Sequence, residues 1–140
     1  MLKVLLVDDE PFIVQGLSAL IDWEKEGFEI VGTAGNGSEA VEFLKSNPVD
    51  LILADIKMPV MNGLEFLKYI RETHLSEAFF VILSGYGDFT YAKEAIKWQC
   101  TDYILKPIQK SQLLALLSKV KQMQQDKKEE SERIRKIGDR

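Results

Sequence analysis

Several short apolar runs of the sequence end in a side chain that can carry charge or donate a hydrogen bond. Asp8 and Asp9 follow the first run, and Asp55 follows the third. Ser84 follows the fourth run, and Lys106 follows a short fifth one. If these runs are parallel strands of one sheet, the side chains meet beyond its carboxyl edge, where such folds bind ligands. Three carboxylates held there would repel one another unless a cation lay among them.

The chemistry of this side-chain set favours a metal ion and a phosphoryl group. Oxygen ligands suit Mg²⁺, which binds a few carboxylates and keeps waters or phosphate oxygens in its shell. Lys106 adds a second positive charge, and a lysine and a divalent cation beside one carboxylate form a pocket for a phosphoryl group attached to it. Ser84 can donate a hydrogen bond to a phosphoryl oxygen. One aspartate would be the nucleophile and the others would hold the metal, but the pattern alone does not say which.

The elements that must position these residues alternate between strands and helices. The apolar runs fit buried strands of a parallel sheet covered on both faces, over Leu2–Val7, Phe28–Ala34, Leu51–Ala54, Phe79–Leu83 and Tyr103–Leu105. Helical periodicity predicts helices over Pro11–Ile21, Ser38–Lys45, Leu64–Arg71, Phe89–Trp98 and a fifth from Ser111 through Leu117. Asp88 is the expected N-cap of the fourth helix. The apolar stripe of the first helix is expected to comprise Phe12, Leu17, Leu20 and Ile21. This alternation predicts an open α/β sandwich.

Composition narrows the class of protein. The chain has 140 residues, 46% hydrophobic and 29% charged, which is typical of one globular domain. One cysteine and one histidine exclude disulfide scaffolds and metal sites built from Cys or His clusters. The net charge of −4 disfavours a nucleic-acid binder. No signal peptide is visible and no run approaches the roughly 20 apolar residues of a membrane span, so we expect a cytoplasmic protein without membrane contact.

The site residues and their neighbours resemble the receiver domain of two-component response regulators over about residues 1–120. The motifs occur in family order: Asp8-Asp9-Glu10, Asp55 with Met58-Pro59 and Asn62-Gly63, Ser84-Gly85, Tyr103, and Lys106-Pro107. The resemblance implies a flavodoxin-like (βα)5 α/β fold. That fold is a doubly wound parallel sheet of five strands in the order 2-1-3-4-5, here with a C-terminal helical extension.

The resemblance also implies how the site works. Asp55 would accept a phosphoryl group from the phosphohistidine of a sensor histidine kinase, and Lys106 would contact that group. Asp9 would bind Mg²⁺ directly, and Asp8 would act on the ion directly or through water. Asp55 itself and the backbone carbonyl of Lys57 would complete the metal site. The protein would not be an enzyme in the ordinary sense, because it accepts the phosphoryl group onto itself and loses it slowly.

Phosphorylation is expected to act as a switch, because it adds about −1.5 to −2 charge and three acceptor oxygens. Ser84, the switch hydroxyl, would move toward these oxygens, and the ring of Tyr103, the switch aromatic, would swing into the vacated space. A cis bond is expected between Lys106 and Pro107. The responding face would be the fourth helix, fifth strand and fifth helix, so that the phosphorylated form dimerises more tightly. Residues expected on or near it are Tyr91, Lys93, Lys97, Trp98 and Gln99.

Two finer resemblances concern the output and the lifetime of the phosphoryl group. The run Ser84-Gly85-Tyr86-Gly87-Asp88-Phe89 leading into Tyr91-Ala92, and Trp23 ahead of Gly27-Phe28, resemble receivers attached to AraC-type DNA-binding domains. In the family, the positions of Lys57 and Tyr86 border the path of the water that hydrolyses the acyl phosphate. A bulky Tyr86 and a lysine at 57 therefore predict slow self-dephosphorylation.

The end of the sequence is interpreted as a linker. Residues 121–140 are expected to extend the fifth helix, with apolar positions spaced as an interrupted heptad seam able to form a coiled coil: Leu113, Leu116, Val120, Met123, Ile134 and Ile137. Lys127 and Glu130 interrupt this seam. DNA would be bound only through an AraC-type helix-turn-helix domain, which residues 1–140 do not contain.

Three other classes of protein compete with this interpretation. An aspartyl phosphatase of similar fold needs a second acid where the chain has Lys57, and is disfavoured. A flavin-binding electron carrier needs a hydroxyl- and glycine-rich phosphate loop after the first strand, where Asp8 and Asp9 would repel phosphate. The third alternative is a receiver-like interaction module that is never phosphorylated, and the intact set of site residues argues against it.

Overall fold

The computed structural model describes residues 1–85 and 89–138, with the side chains of residues 89, 90, 92 and 136–138 left undescribed. The predicted cap at Asp88 and the predicted role of Tyr86 lie outside these residues. The strands are β1 (Leu2–Val7), β2 (Phe28–Ala34), β3 (Leu51–Asp55), β4 (Phe79–Ser84) and β5 (Asp102–Leu105). The helices are α1 (Pro11–Leu20), α2 (Gly37–Ser46), α3 (Gly63–Glu72), α4 (Phe89–Lys97) and α5 (Lys110–Gly138). Residues 1–108 and 109–140 form two compact units.

The five strands form one parallel sheet in the order β2-β1-β3-β4-β5, which confirms the predicted doubly wound, flavodoxin-like fold. The chain leaves β1 for β2 on one side and reaches β3 on the other, so the topological switch point lies between β1 and β3. A crevice beyond the carboxyl ends of these strands is where such sheets bind ligands. Both β3 and β4 run one residue further than expected and take Asp55 and Ser84 into the sheet.

The core surrounds the central strands, which are almost wholly apolar and buried. One expectation for α1 was wrong, because Phe12 is 85% exposed rather than part of the inward stripe. It lies in the first turn of α1, next to the carboxyl edge of the sheet, where the core no longer reaches. Among the α1 positions of the expected stripe, Leu17 is buried and Leu20 is half-buried. In α3 the fully buried Phe66 packs against Phe80 at a ring-centroid distance of 5.5 Å, a contact the helical pattern did not predict.

Arg71, in the last turn of α3, ties several chain segments together at the amino edge of β4 and β5. Its guanidinium donates to the carbonyls of Ser76 and Ala78, each at 2.8 Å, in the loop before β4. It also donates to the carbonyls of Trp98 and Gln99, each at 3.3 Å, directly after α4. One planar group with five donors thereby fixes the end of α3, the start of β4 and the end of α4.

The second unit consists of α5, which runs as one helix for 29 residues. Its buried positions are Leu113, Leu116, Leu117 and Val120, and residues 125–135 are all exposed. The first three positions of the predicted seam, Leu113, Leu116 and Val120, are thus buried, and pairing of the seam with a second copy stays a prediction. Of its described later positions, Met123 is half-buried and Ile134 is 60% exposed. In the part of the chain that the structure describes, no helix is long and apolar enough to cross a membrane.

Candidate functional site

The centre of the site is an ammonium group between two carboxylates. Lys106 Nζ lies 2.9 Å from Asp8 Oδ2 and 3.2 Å from Asp55 Oδ2. The side chains of Asp8 and Asp55 are only 2% and 9% exposed. Three groups from β1, β3 and the segment after β5 are thus brought together as the sequence predicted. Because water screens them little, a change of charge on any one is strongly felt by the other two.

Backbone contacts hold the loop that carries the first carboxylate. The amide of Asp8 donates to the carbonyl of Ala34 at 3.0 Å, and the amide of Glu10 donates to Asp8 Oδ1 at 2.9 Å. The side chain of Asp8 therefore accepts from the backbone with one oxygen and from Lys106 with the other. This double contact fixes its position before any ligand binds.

The backbone of Asp55 lies in close contact with the first residue of α3, Gly63. A Cβ added to Gly63 would lie 2.1 Å from the carbonyl oxygen of Asp55, so only glycine fits there. The amide of Gly63 donates to the carbonyl of Ile56 at 2.8 Å. Asn62 and Glu65 form a capping box that begins the helix at this point. The pair Asn62-Gly63 belongs to the family motif, but the sequence predicted no role for Gly63. In the structure, the absence of a side chain at Gly63 lets the start of α3 pack directly against the backbone of Asp55.

The site offers a set of oxygen ligands that fits Mg²⁺. Asp8, Asp9, Glu10 and Asp55 can each place one carboxylate oxygen within 4.8 Å of the others. Asp8 and Asp55 are buried, whereas Asp9 and Glu10 are exposed and can reorient toward an ion. Glu10 was not among the predicted ligands, although it belongs to the same acidic run. The exposed Lys57 lies beside Asp9 at the mouth of the site.

The pKa values of Asp55 and Lys106 are both raised, for different physical reasons. Burial raises the pKa of Asp55 and the charge of Asp8 adds to this effect, while Lys106 partly offsets both. Burial alone would lower the pKa of Lys106, but its hydrogen bond to Asp8 and the charges of both aspartates outweigh burial and raise that pKa. The lysine thus stays charged, and ionised Asp55 is penalised until a further cation compensates it.

Ser84 and Tyr103 lie where the strands bring them. Ser84 is fully buried at the end of β4, and its hydroxyl donates to the carbonyl of Gly85 at 3.3 Å. The amide of Lys106 donates to the carbonyl of Ser84 at 2.6 Å, so a backbone hydrogen bond joins the lysine to the end of the neighbouring strand β4. Tyr103 is opposite Ile82 in the β4–β5 register and packs, half-buried, against the core. The Lys106–Pro107 bond is cis, as expected.

The residues expected on or near the responding face of α4 differ in exposure. Lys93, Lys97 and Gln99 are exposed, whereas Tyr91 and Trp98 are half-buried and pack against the core. The ammonium group of Lys68 lies over the ring of Trp98, with Nζ 5.8 Å from the ring centroid. The α4 pattern missed an apolar residue at the surface, because Ile96 is 74% exposed.

A cavity of about 340 Å³ adjoins the acidic cluster. Its lining residues are Asp9, Ile56, Lys57, Met58, Pro59, Asn62 and Tyr91. Six of them come from the segments after β1 and β3, and Tyr91 comes from α4. The sequence gave no signal for this contribution of α4, because nothing in its periodicity links Tyr91 to the site.

Comparison with known proteins agrees with the geometry. Residues 4–118 match the family of response regulator receiver domains. The transcriptional regulatory protein YesN of Bacillus subtilis (strain 168) is 40% identical over 120 residues, which are 86% of this chain and 32% of that protein. The transcriptional regulatory protein HptR of Staphylococcus aureus (strain NCTC 8325 / PS 47) is 38% identical over 120 residues, 86% of this chain and 46% of that protein. The chain thus spans less than half the length of these relatives.

Solved structures share the fold over almost their whole length. The REC domain of AraT, a response regulator from Geobacillus stearothermophilus, superposes with a TM-score of 0.83 and 38% identity, covering 91% of this chain and 98% of that one. A two component transcriptional regulator AraC from Clostridium phytofermentans ISDg superposes with a TM-score of 0.78 and 33% identity, covering 87% and 94%.

Proposed function

The chain belongs to the response regulator receiver domain family, and from that premise we propose that Asp55 accepts a phosphoryl group from a sensor histidine kinase in a Mg²⁺-dependent reaction. The observation that carries the proposal is the Lys106 ammonium between the buried carboxylates of Asp8 and Asp55. A buried carboxylate with a cation on one side and acidic metal ligands on the other is prepared to hold a charged group transferred onto it.

The proposed reaction is a direct displacement at phosphorus. A carboxylate oxygen of Asp55 attacks the phosphorus of the phosphohistidine and forms a P–O bond, while the P–N bond breaks and its electron pair stays on the imidazole. Lys106 stabilises the charge on the phosphoryl oxygens, and Asp8 holds Lys106 in place. Asp9, Asp8, Asp55 and the carbonyl of Lys57 would hold Mg²⁺. When bound, the ion supplies further positive charge to the phosphoryl group.

The phosphoryl group would then change the packing at the end of β4. Its oxygens offer acceptors to the hydroxyl of Ser84, which in the structure donates to the neighbouring carbonyl of Gly85. Movement of Ser84 would let the ring of Tyr103 turn inward, which alters the α4 and β5 surface and, with α5, favours a homodimer. Support comes from exposed apolar groups on that surface, since Ile96 and Leu105 are 74% and 44% exposed.

The first turn of α1 offers a contact surface for the kinase. Phe12 is exposed beside an apolar groove of about 240 Å³, whose other lining residues include Leu20, Pro107 and Ile108. Lys106 also lines this groove, so a partner bound there is next to the site. We propose that the kinase docks on Phe12 and thereby presents its phosphohistidine to Asp55. The protein would act in the cytoplasm, where its kinase is phosphorylated.

The output is proposed from the relatives alone. Two of them are transcriptional regulators longer than this chain, and one structural neighbour is an AraC-type regulator. Residues 1–120 would be the receiver domain and residues 121–140 a helical linker to an AraC-type helix-turn-helix domain. DNA would be bound by that domain and not by residues 1–140.

Acetyl phosphate tests the phosphoryl-acceptor proposal directly. The chain is incubated with Mg²⁺ and acetyl phosphate, and the intact mass is measured. An increase of one phosphoryl group is expected in the wild-type chain and in the surface control Asp126→Ala, and none in Asp55→Ala. The same samples are expected to sediment as a larger dimer fraction when phosphorylated.

The competing interpretation is a receiver-like module that binds partners without being phosphorylated. It predicts no mass increase in the wild-type chain at any concentration of acetyl phosphate. An increase that persists in Asp55→Ala would place the acceptor on another residue and would also refute the proposal.

A further inference from the structure

The cavity beside the acidic cluster is bounded on its α4 side by Tyr91. Ile56 follows Asp55 directly, and Lys57 and Asp9 also line the cavity. Tyr91 is the one lining residue from α4 among the residues that the structure describes. It is half-buried and packs against the core, so its ring is held in place as a wall of the cavity.

The cavity lies where the second reactant must enter. Lys106 and Asp8 lie on one side of the Asp55 carboxylate, and the strand that carries Asp55 is buried in the core. The cavity is lined by Asp9 and by Ile56, which directly follows Asp55, so a phosphoryl group on Asp55 would project toward it. At about 340 Å³ the space admits several water molecules or one small leaving group, since a water fills roughly 30 Å³.

In-line displacement places two different molecules at the same point of this cavity. During phosphorylation the leaving group departs opposite the oxygen of Asp55. During hydrolysis a water attacks phosphorus from that same position, and the acyl P–O bond breaks with its electron pair returning to the Asp55 carboxylate. The proton of the water leaves with inorganic phosphate. A side chain that lines the cavity at this point can therefore limit both the size of the phosphodonor and the access of water to phosphorus.

We propose that Tyr91 is a specificity-determining residue of the phosphoryl-transfer site, whose ring limits both water access to phosphorylated Asp55 and the size of small-molecule phosphodonors. The proposal rests on the proposed function, because it requires Asp55 to carry the phosphoryl group. It adds a residue on α4, the helix that also forms the responding surface. The lifetime of the phosphoryl group is then tied to the position of that helix.

The test uses the full chain with Mg²⁺ and three variants, Tyr91→Ala, Tyr91→Phe and Tyr69→Ala. Tyr69 is a partly exposed tyrosine of α3 that does not line the cavity. After phosphorylation and removal of the donor, the decay of the phosphorylated mass is followed. Tyr91→Ala is expected to shorten the lifetime at least about threefold, because water reaches phosphorus more often. Tyr91→Phe keeps the ring and should restore the wild-type lifetime, and Tyr69→Ala should not change it.

A second readout separates a wall from general damage to the fold. The rates of phosphorylation by acetyl phosphate and by phosphoramidate are compared, because their leaving groups, acetate and ammonia, differ in size. Tyr91→Ala is expected to raise the ratio of the acetyl phosphate rate to the phosphoramidate rate. Partial unfolding lowers both rates together and leaves their ratio unchanged.

The outcomes distinguish this proposal from the one on which it rests. A wild-type chain that gains no phosphoryl group on Asp55 refutes both proposals. A phosphorylated wild type with an equal lifetime and rate ratio in Tyr91→Ala refutes only the role of Tyr91. If Tyr91→Phe shortened the lifetime as much as Tyr91→Ala, the hydroxyl and not the ring would be responsible, and the steric wall would be wrong.

Discussion

Two long cationic side chains sit at opposite edges of the same sheet, and their partners differ in kind. At the carboxyl edge, Lys106 lies between the carboxylates of Asp8 and Asp55. At the amino edge, Arg71 donates to four backbone carbonyls. The partners of the lysine can gain a proton or a phosphoryl group and carry a full negative charge that a metal ion can neutralise, whereas backbone carbonyls neither ionise nor accept a phosphoryl group. One edge is built to respond to charge, and the other is built to stay fixed.

This difference bears on how a signal would reach α4. The chain enters α4 after β4, which ends at Ser84 beside Lys106, and it leaves α4 at Trp98 and Gln99, whose carbonyls accept from Arg71. The first end is thus next to the responsive site and the second is tied to α3 and β4. A change at Ser84 should therefore move the amino end of α4 more than its carboxyl end.

The largest effect is expected from removing the fixed cation. Arg71→Met leaves four carbonyls without their donor, and we expect the free energy of unfolding to fall by about 3 kcal/mol, as measured by urea denaturation. Arg71→Lys keeps the charge but lacks the planar array of donors, so it should recover only part of this loss. Mg²⁺ should stabilise both variants by the same amount as the wild-type chain, so their deficit relative to the wild type should remain. A destabilisation of Arg71→Met that Mg²⁺ reverses would show that the two edges are not independent.

Replacing Lys106, the cation of the carboxyl edge, should lower the free energy of unfolding less than replacing Arg71, and Mg²⁺ should reverse the loss. Lys106→Met leaves two buried carboxylates facing each other, and we expect a loss of about 2 kcal/mol at pH 7 without divalent ions. The loss is smaller than for a fully enclosed pair because one carboxyl can take up a proton. Mg²⁺ supplies the missing positive charge and should restore most of the stability. The exposed Lys97→Met is the matched control and should be neutral in both conditions.

The same comparison explains which parts could be predicted from the sequence. The responsive edge is made of side chains that end apolar runs, so Asp8, Asp55 and Lys106 stand out, and parallel-sheet topology puts them together. The strand bounds followed from apolar runs to within one residue at each end. Asn36 and Asn62 each precede a helix and accept from the amides of residues three positions on, Glu39 and Glu65.

The fixed edge left no comparable signal. Arg71 binds carbonyls of Ser76, Ala78, Trp98 and Gln99, and any residue type offers a carbonyl, so no pattern of side chains marks this site. The prediction that Phe12 faces the core was wrong for a different reason. Helical periodicity identifies the inward face of α1 but does not show how far along the helix the core extends. The seam of α5 stays a prediction, because neither spacing nor the burial of Leu113 and Val120 tells whether a second copy pairs along it.

The smallest effect is expected from adding Mg²⁺ to the wild-type chain. Mg²⁺ at ten times its dissociation constant should raise the free energy of unfolding of the wild-type chain by about 1.4 kcal/mol at pH 7.5. Asp9→Ala should lose most of this gain. Arg71→Lys, whose change lies at the other edge, should keep it.

The gain from Mg²⁺ should also shrink as the pH falls, starting above the range in which an ordinary aspartate titrates. Burial and the charge of Asp8 raise the pKa of Asp55, so the folded chain holds this proton more tightly than the unfolded chain. The contribution of Asp55 to stability without metal therefore increases as the pH falls through this raised pKa, because its ionised form is the costly one. Protons and Mg²⁺ compete for the same carboxylate, so the stabilisation by the ion is lost over that same interval. Thermal unfolding with and without Mg²⁺ between pH 7.5 and pH 4.5 measures this difference, and a gain that stayed constant over the interval would contradict the assignment of Asp55 to the ion.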